Sequence, residues 1–98
     1  MNPLRILLVE DEELIRRFVR LTLSAADYEV FEAAQLQRGL IEAGTRRPDL
    51  LVLDLGLPDD GLDLIRDLRT WSQIPIIVLS ARSAETDKIQ ALDAGADD

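Results

Sequence analysis

The sequence contains no cysteine and no histidine. The first absence excludes disulfides, thiolate zinc sites and cysteine nucleophiles; the second removes imidazole as nucleophile, proton carrier or metal ligand. Titratable chemistry therefore falls to Asp, Glu, Lys, Tyr, Ser or Thr. Positive charge is scarce as well, with 11 basic residues against 19 acidic ones and a net charge of −8. That balance argues against direct binding of nucleic acid or an anionic membrane by this domain, since both need a positive surface. It suits a metal ion or a basic partner. No apolar run approaches the length of a membrane span, and MNPLRILLVE lacks the layout of a signal peptide, so a cytoplasmic location is expected. Repeats, low-complexity tracts and linkers are missing too. A length of 98 residues, 47% of them hydrophobic, suits one small domain over 1–98.

What is present is an alternation of short apolar runs and helical patterns. RILLV (Arg5–Val9) is too short for a helix and reads as a buried strand. Leu14, Ile15, Phe18 and Leu21 then recur as one face of a helix, with Glu12 and Glu13 at its positive end. YEVFEA (Tyr28–Ala33) alternates as a strand near a sheet edge does. Leu36, Leu40 and Ile41 predict a second helix, closing near Gly44 and stopped by Pro48. LLVL (Leu50–Leu53) is a third strand, and Leu62, Ile65 and Leu68 mark a third helix ending about Thr70, with Trp71 at its far end. PIIVLS (Pro75–Ser80) is a fourth strand. Ser83 caps a fourth helix carrying Ile89 and Leu92, with Gly95 as its stop. Four βα units with continuously apolar strands predict an α/β fold, a parallel sheet covered by helices on both faces.

In such sheets, function gathers outside the carboxyl ends of the strands. The first strand ends in Glu10-Asp11, the third in Asp54 and the fourth in Ser80. With the first and third strands adjacent, three carboxylates converge on one rim. Crowded like charges either hold a proton or bind a cation, and a hard oxygen-liganded ion such as Mg²⁺ is the natural one. A carboxylate beside Mg²⁺ can attack phosphorus and become an aspartyl phosphate. Each acid taken singly is an ordinary loop charge or helix cap, Asp11 included; the set is what carries the signal.

LLVEDEE, LVLDLGLPDDG, IIVLSAR and ALDAGADD resemble the receiver domains of two-component response regulators, in the same order and at similar spacing along essentially the whole chain. The wording of FEAAQLQRGL, IRDLRTWSQIPIIVLSARS and DKIQALDAGADD further resembles the branch that controls potassium-transport operons. The resemblance implies a doubly wound, flavodoxin-like sheet in strand order 2-1-3-4-5, with the fifth βα unit absent from this chain and the receiver thus incomplete at its C-terminus. It implies that Asp54 accepts a phosphoryl group from a sensor histidine kinase. Glu10, Asp11 and Asp54, with the backbone carbonyl of Gly56, would hold Mg²⁺, and Ser80 would be the hydroxyl that answers phosphorylation. Homodimerisation on activation, DNA binding through a C-terminal output domain, and no enzyme activity beyond assisting its own phosphorylation and dephosphorylation are also implied. Two departures stand out. The family's lysine lies beyond Asp98, and Lys88, inside the fourth helix, does not replace it. The LPDDGLDL loop is one residue shorter than usual, which bears on the Gly56 carbonyl. With the fifth unit missing, PIIVLS is expected to form an apolar sheet edge inclined to pair with another chain.

Other readings meet specific obstacles. A haloacid-dehalogenase-type phosphatase wants a second Asp two positions after its nucleophile, where this chain has Gly56. A flavodoxin-type nucleotide or flavin binder wants a hydroxyl- or glycine-rich phosphate loop, where this chain has Glu10-Asp11-Glu12-Glu13. A pseudo-receiver, a protein-interaction module that is not phosphorylated, has no use for the intact acidic set and Asp54, but the missing fifth unit keeps that alternative open.

Overall fold

The computed structural model describes residues 3–54, 61–79, 92 and 95–97. The chain runs β1 (Arg5–Val9), α1 (Glu13–Ala25), β2 (Glu29–Ala33), α2 (Leu36–Arg46), β3 (Leu50–Asp54), α3 (Gly61–Arg69) and β4 (Ile76–Leu79). The strands form one parallel sheet in the order β2-β1-β3-β4. This is the expected doubly wound order, and each strand lies within a residue or two of its sequence reading. The anticipated fourth helix falls largely outside the described residues; Leu92 is helical, and Gly95 has φ +125°.

The strands lack polar alternation because both faces of the sheet are covered. Side chains alternate faces along a strand, so Leu7, Val9, Leu51, Leu53 and Ile76 join α2 and α3 through Leu36, Ala43, Leu64, Ile65 and Leu68. On the other face Ile6, Leu8 and Val52 meet Val19 and Leu23 of α1. Gly39 lets α2 approach β1 closely: a Cβ there would stand 2.9 Å from Val9 Cγ2.

Helix α1 is where the sequence reading and the structure part. The helix is present, but Val19 and Leu23 face the sheet with Ile15 half-buried, whereas Leu14, Phe18 and Leu21 are 76%, 70% and 52% exposed. Leu14, Phe18 and Leu21 form a second apolar stripe beside the first, and spacing alone selected it. On α2, Ile41 is likewise exposed, while Gly39, Glu42 and Ala43 are buried. That helix also continues through Gly44 to Arg46 and closes at Arg47, whose φ of 49° is left-handed.

Several long polar side chains tie elements together. On the edge strand β2, Phe31 has the guanidinium carbons of Arg5 and Arg46 at 4.9 and 5.0 Å from its ring centre. Glu42 is gripped by Arg38 and Arg46 one turn to either side, at 2.8 and 3.1 Å. At the start of β4, Arg69 donates to the carbonyls of Ile74, Gly95 and Ser72 at 2.6, 2.9 and 3.3 Å and to Asp97 Oδ2 at 2.8 Å. Asp97 in turn accepts from Ile76 N at 2.8 Å and donates its own N–H to Ile76 O at 2.9 Å. The 95–97 segment is thus fastened beside the first residue of β4.

Candidate functional site

Register brings the acids together. Val9 of β1 pairs with Leu53 of β3, so the next residues, Glu10 and Asp54, leave the sheet side by side. Glu10 continues the ladder one step further, its N–H donating to Ala33 O at 3.0 Å. Its carboxylate turns back over the start of α1, where Oε1 accepts from Glu12 N at 3.0 Å. That contact does the work of a helix cap: the capping residue itself is Glu12, whose side chain makes no capping bond, and Asp11 does not cap the helix. Asp54 is the last residue of β3 and is buried, while Asp11 is exposed.

Glu10, Asp11 and Asp54 each offer a carboxylate oxygen, and these atoms lie within 4.8 Å of one another. Glu10 is 1% exposed. Burial disfavours its charged form and pushes its carboxyl up to about 7 from an ordinary 4.5. The Glu12 N–H opposes that rise, whereas the adjacent Asp54 and Asp11 carboxylates reinforce it. Near neutral pH the cluster therefore holds a proton about half of the time and gives it up readily. A divalent cation relieves the same crowding without a proton, and an all-oxygen set with two buried members and one open to solvent suits Mg²⁺.

Three of the site residues expected from the sequence are thus brought together. Ser80 and Gly56, together with Lys88, lie outside the described residues. Arg16 was not foreseen. It donates from Nη1 to Glu10 O at 2.9 Å, and its Nε lies 3.5 Å from Glu32 Oε1. Its only trace in the sequence is a basic residue one turn into a helix that begins with acids. At the opposite end of the sheet, a groove of about 500 Å³ between the C-terminal ends of α2 and α3 is lined by Ala43, Arg47, Pro48, Trp71 and Ile74. It shares no residue with the acidic rim.

Residues 6–98 match the response regulator receiver domain family. The chain is 67% identical over 94 residues to the KDP operon transcriptional regulatory protein KdpE of Escherichia coli K12, covering 95% of this chain and 42% of that protein. It is 47% identical over 94 residues to the transcriptional regulatory protein KdpE of Mycobacterium tuberculosis, with the same two coverages of 95% and 42%. Among solved structures, a putative response regulator from Chloroflexus aurantiacus superposes with a TM-score of 0.91 at 33% identity, covering 98% of this chain and 82% of that one. The chain therefore spans less than half the length of these curated relatives. With its strand order, its acidic rim and these likenesses in agreement, the chain belongs to the response regulator receiver domain family.

Proposed function

We propose that this domain is the phosphoacceptor of a two-component pathway, with Asp54 as the residue phosphorylated by a sensor histidine kinase. The observation that carries the reading is the convergence of Glu10, Asp11 and Asp54 within 4.8 Å at the carboxyl edge of a parallel sheet. In the transfer, a carboxylate oxygen of Asp54 attacks phosphorus. The P–N bond to the kinase histidine breaks, its electron pair returns to the imidazole, and an aspartyl phosphate is left. Burial in the sheet holds Asp54 at a fixed position for that attack, and Glu10 gives up its proton when the site takes a cation. Glu10, Asp11 and Asp54, with the carbonyl of Gly56, would hold Mg²⁺. When bound, the ion supplies positive charge against the carboxylates and the incoming phosphoryl oxygens.

Ser80 is assigned as the hydroxyl that hydrogen-bonds the new phosphoryl group, which adds about −1.5 to −2 charge to the site. The output is a population shift of the domain surface that favours homodimers. The longer relatives are named as transcriptional regulators. On that basis a DNA-binding output domain working with this receiver in the cytoplasm, in a potassium response, completes the reading. Among the described residues no helix is long and apolar enough to cross a membrane.

Incubation with Mg²⁺ and a small-molecule phosphodonor, followed by intact-mass measurement, tests the proposal. One phosphoryl adduct is expected, lost when Mg²⁺ is chelated and lost in Asp54→Asn. Ser80→Ala should still be phosphorylated but switch less completely. Phosphorylation that persists in Asp54→Asn, or none in the parent, refutes the assignment.

A further inference from the structure

The Arg16 side chain is only 20% exposed and points at the peptide that links two members of the trio, Glu10 and Asp11. It closes a ring of contacts. Glu10 N donates to Ala33 O at 3.0 Å. Ala33 follows Glu32, whose carboxylate lies 3.5 Å from Arg16 Nε and 3.3 Å from Arg20 Nε. Arg16 Nη1 returns to Glu10 O at 2.9 Å. The backbone N–H of Arg16 also donates to Glu12 O at 2.9 Å, so both ends of the Glu10–Glu12 turn are held from α1.

We propose that Arg16, braced by Glu32, is a positioning residue for the cation site, fixing the peptide plane from which the Asp11 carboxylate projects. The inference rests on the receiver reading above. Its physical basis is the planarity of the peptide: the Glu10 carbonyl and the Asp11 N–H belong to one rigid unit. Holding the carbonyl oxygen sets the direction in which the chain leaves for Asp11, the most exposed member of the trio. Without that hold the turn must be ordered when the ion arrives, and the ordering cost appears as lost affinity. A guanidinium close to a cation site also repels the cation, which predicts the opposite sign. Glu32, shared with Arg20, offsets part of that charge, and the guanidinium is directed at a backbone carbonyl rather than at a carboxylate, so the ordering effect is expected to dominate.

The test follows the Asp11 amide by NMR during Mg²⁺ titration of the parent, Arg16→Met and Arg16→Lys. Supporting groups behind metal ligands commonly change affinity by about 10–100-fold, and Arg16→Met should weaken Mg²⁺ binding by about tenfold, the lower end of that range. Arg16→Lys keeps a charged donor and should recover most of the loss. In the metal-free protein, Arg16→Met should also speed hydrogen exchange at the Glu12 amide, which reports the turn directly, while amides of β3 exchange as in the parent. If Arg16→Met does not fold, Arg16→Gln takes its place with a smaller loss of the same sign. Affinity that is unchanged or tighter in the folded variant overturns the Arg16 role alone. A parent whose Asp11 amide ignores Mg²⁺ overturns the receiver reading and the positioning role with it.

Discussion

Replacing Glu10 by Gln should make the metal-free protein more stable at pH 8, although it deletes a residue of the proposed cation site. Glu10 is buried beside Asp54 with its carboxyl pushed up to about 7. Between pH 4.5 and 7 the folded chain holds a proton there that the unfolded chain has already released. Stability tied to this group is therefore complete below pH 4.5 and drains away as pH rises through about 7. At 1.36 kcal/mol for each pH unit between the two values, the loss by pH 8 amounts to ~3 kcal/mol. Glutamine is neutral throughout and can still accept from the Glu12 N–H, so it escapes that loss. Urea denaturation in chelator, followed by circular dichroism at pH 5 and pH 8, measures it. Parent and Glu10→Gln should differ little at pH 5, and the variant should lead by up to ~3 kcal/mol at pH 8. Added Mg²⁺ should close the gap by stabilising only the parent. A difference between the two proteins that is the same at both pH values would refute the reasoning.

Arg69→Met removes donors from the carbonyls of Ser72, Ile74 and Gly95 and from Asp97; a loss of ~2–4 kcal/mol is expected in denaturant titration, from several charge-assisted bonds that do not add fully. Gly39→Ala gains about 1 kcal/mol of helix propensity. The new methyl meets the buried Val9 at 2.9 Å, so a net destabilisation of ~1–2 kcal/mol is expected by the same assay. Phe18→Ser should change stability by no more than about 0.5 kcal/mol because the ring is already in solvent, while Leu23→Ala, from the sheet-facing stripe, should cost ~1–2 kcal/mol. Equal losses for these two in thermal melts would show that the face of α1 is misplaced.

The strands were legible because burial on both faces leaves a continuous apolar run with sharp ends; Arg5–Val9 was read to the residue. The rim acids were legible for the same reason, since a carboxylate directly after such a run has only one place to go. The orientation of α1 was not. Ile15, Val19 and Leu23 compete with Leu14, Phe18 and Leu21, and periodicity cannot rank two adjacent apolar stripes; contact with Ile6, Leu8 and Val52 decides between them. Nor does a pattern reveal Arg16 and Arg69, whose partners are mostly backbone carbonyls set by tertiary approach. The Glu42 clasp is intermediate. Arg38, Glu42 and Arg46 stand at i, i+4 spacing, so the pairing could be read, but the burial of Glu42 follows only from the rotation of α2.

The placement of Phe31 between two arginines bears on solubility. Strand β2 is an outer strand of the sheet, with one row of backbone groups facing away from β1, and its core sequence EVFEA is short and inclined to β pairing. Arg5 and Arg46 over the ring, with the exposed carboxylates of Glu29 and Glu32 along the strand, surround that edge with charge. A second copy docking there would have to strip water from these ions and set like charges against each other. Replacing Glu29 by Val removes part of this guard while leaving the Glu32 contacts to Arg16 and Arg20 in place. That variant should therefore leave the outer strand stickier, and light scattering should rise through self-association while the sheet itself is still formed.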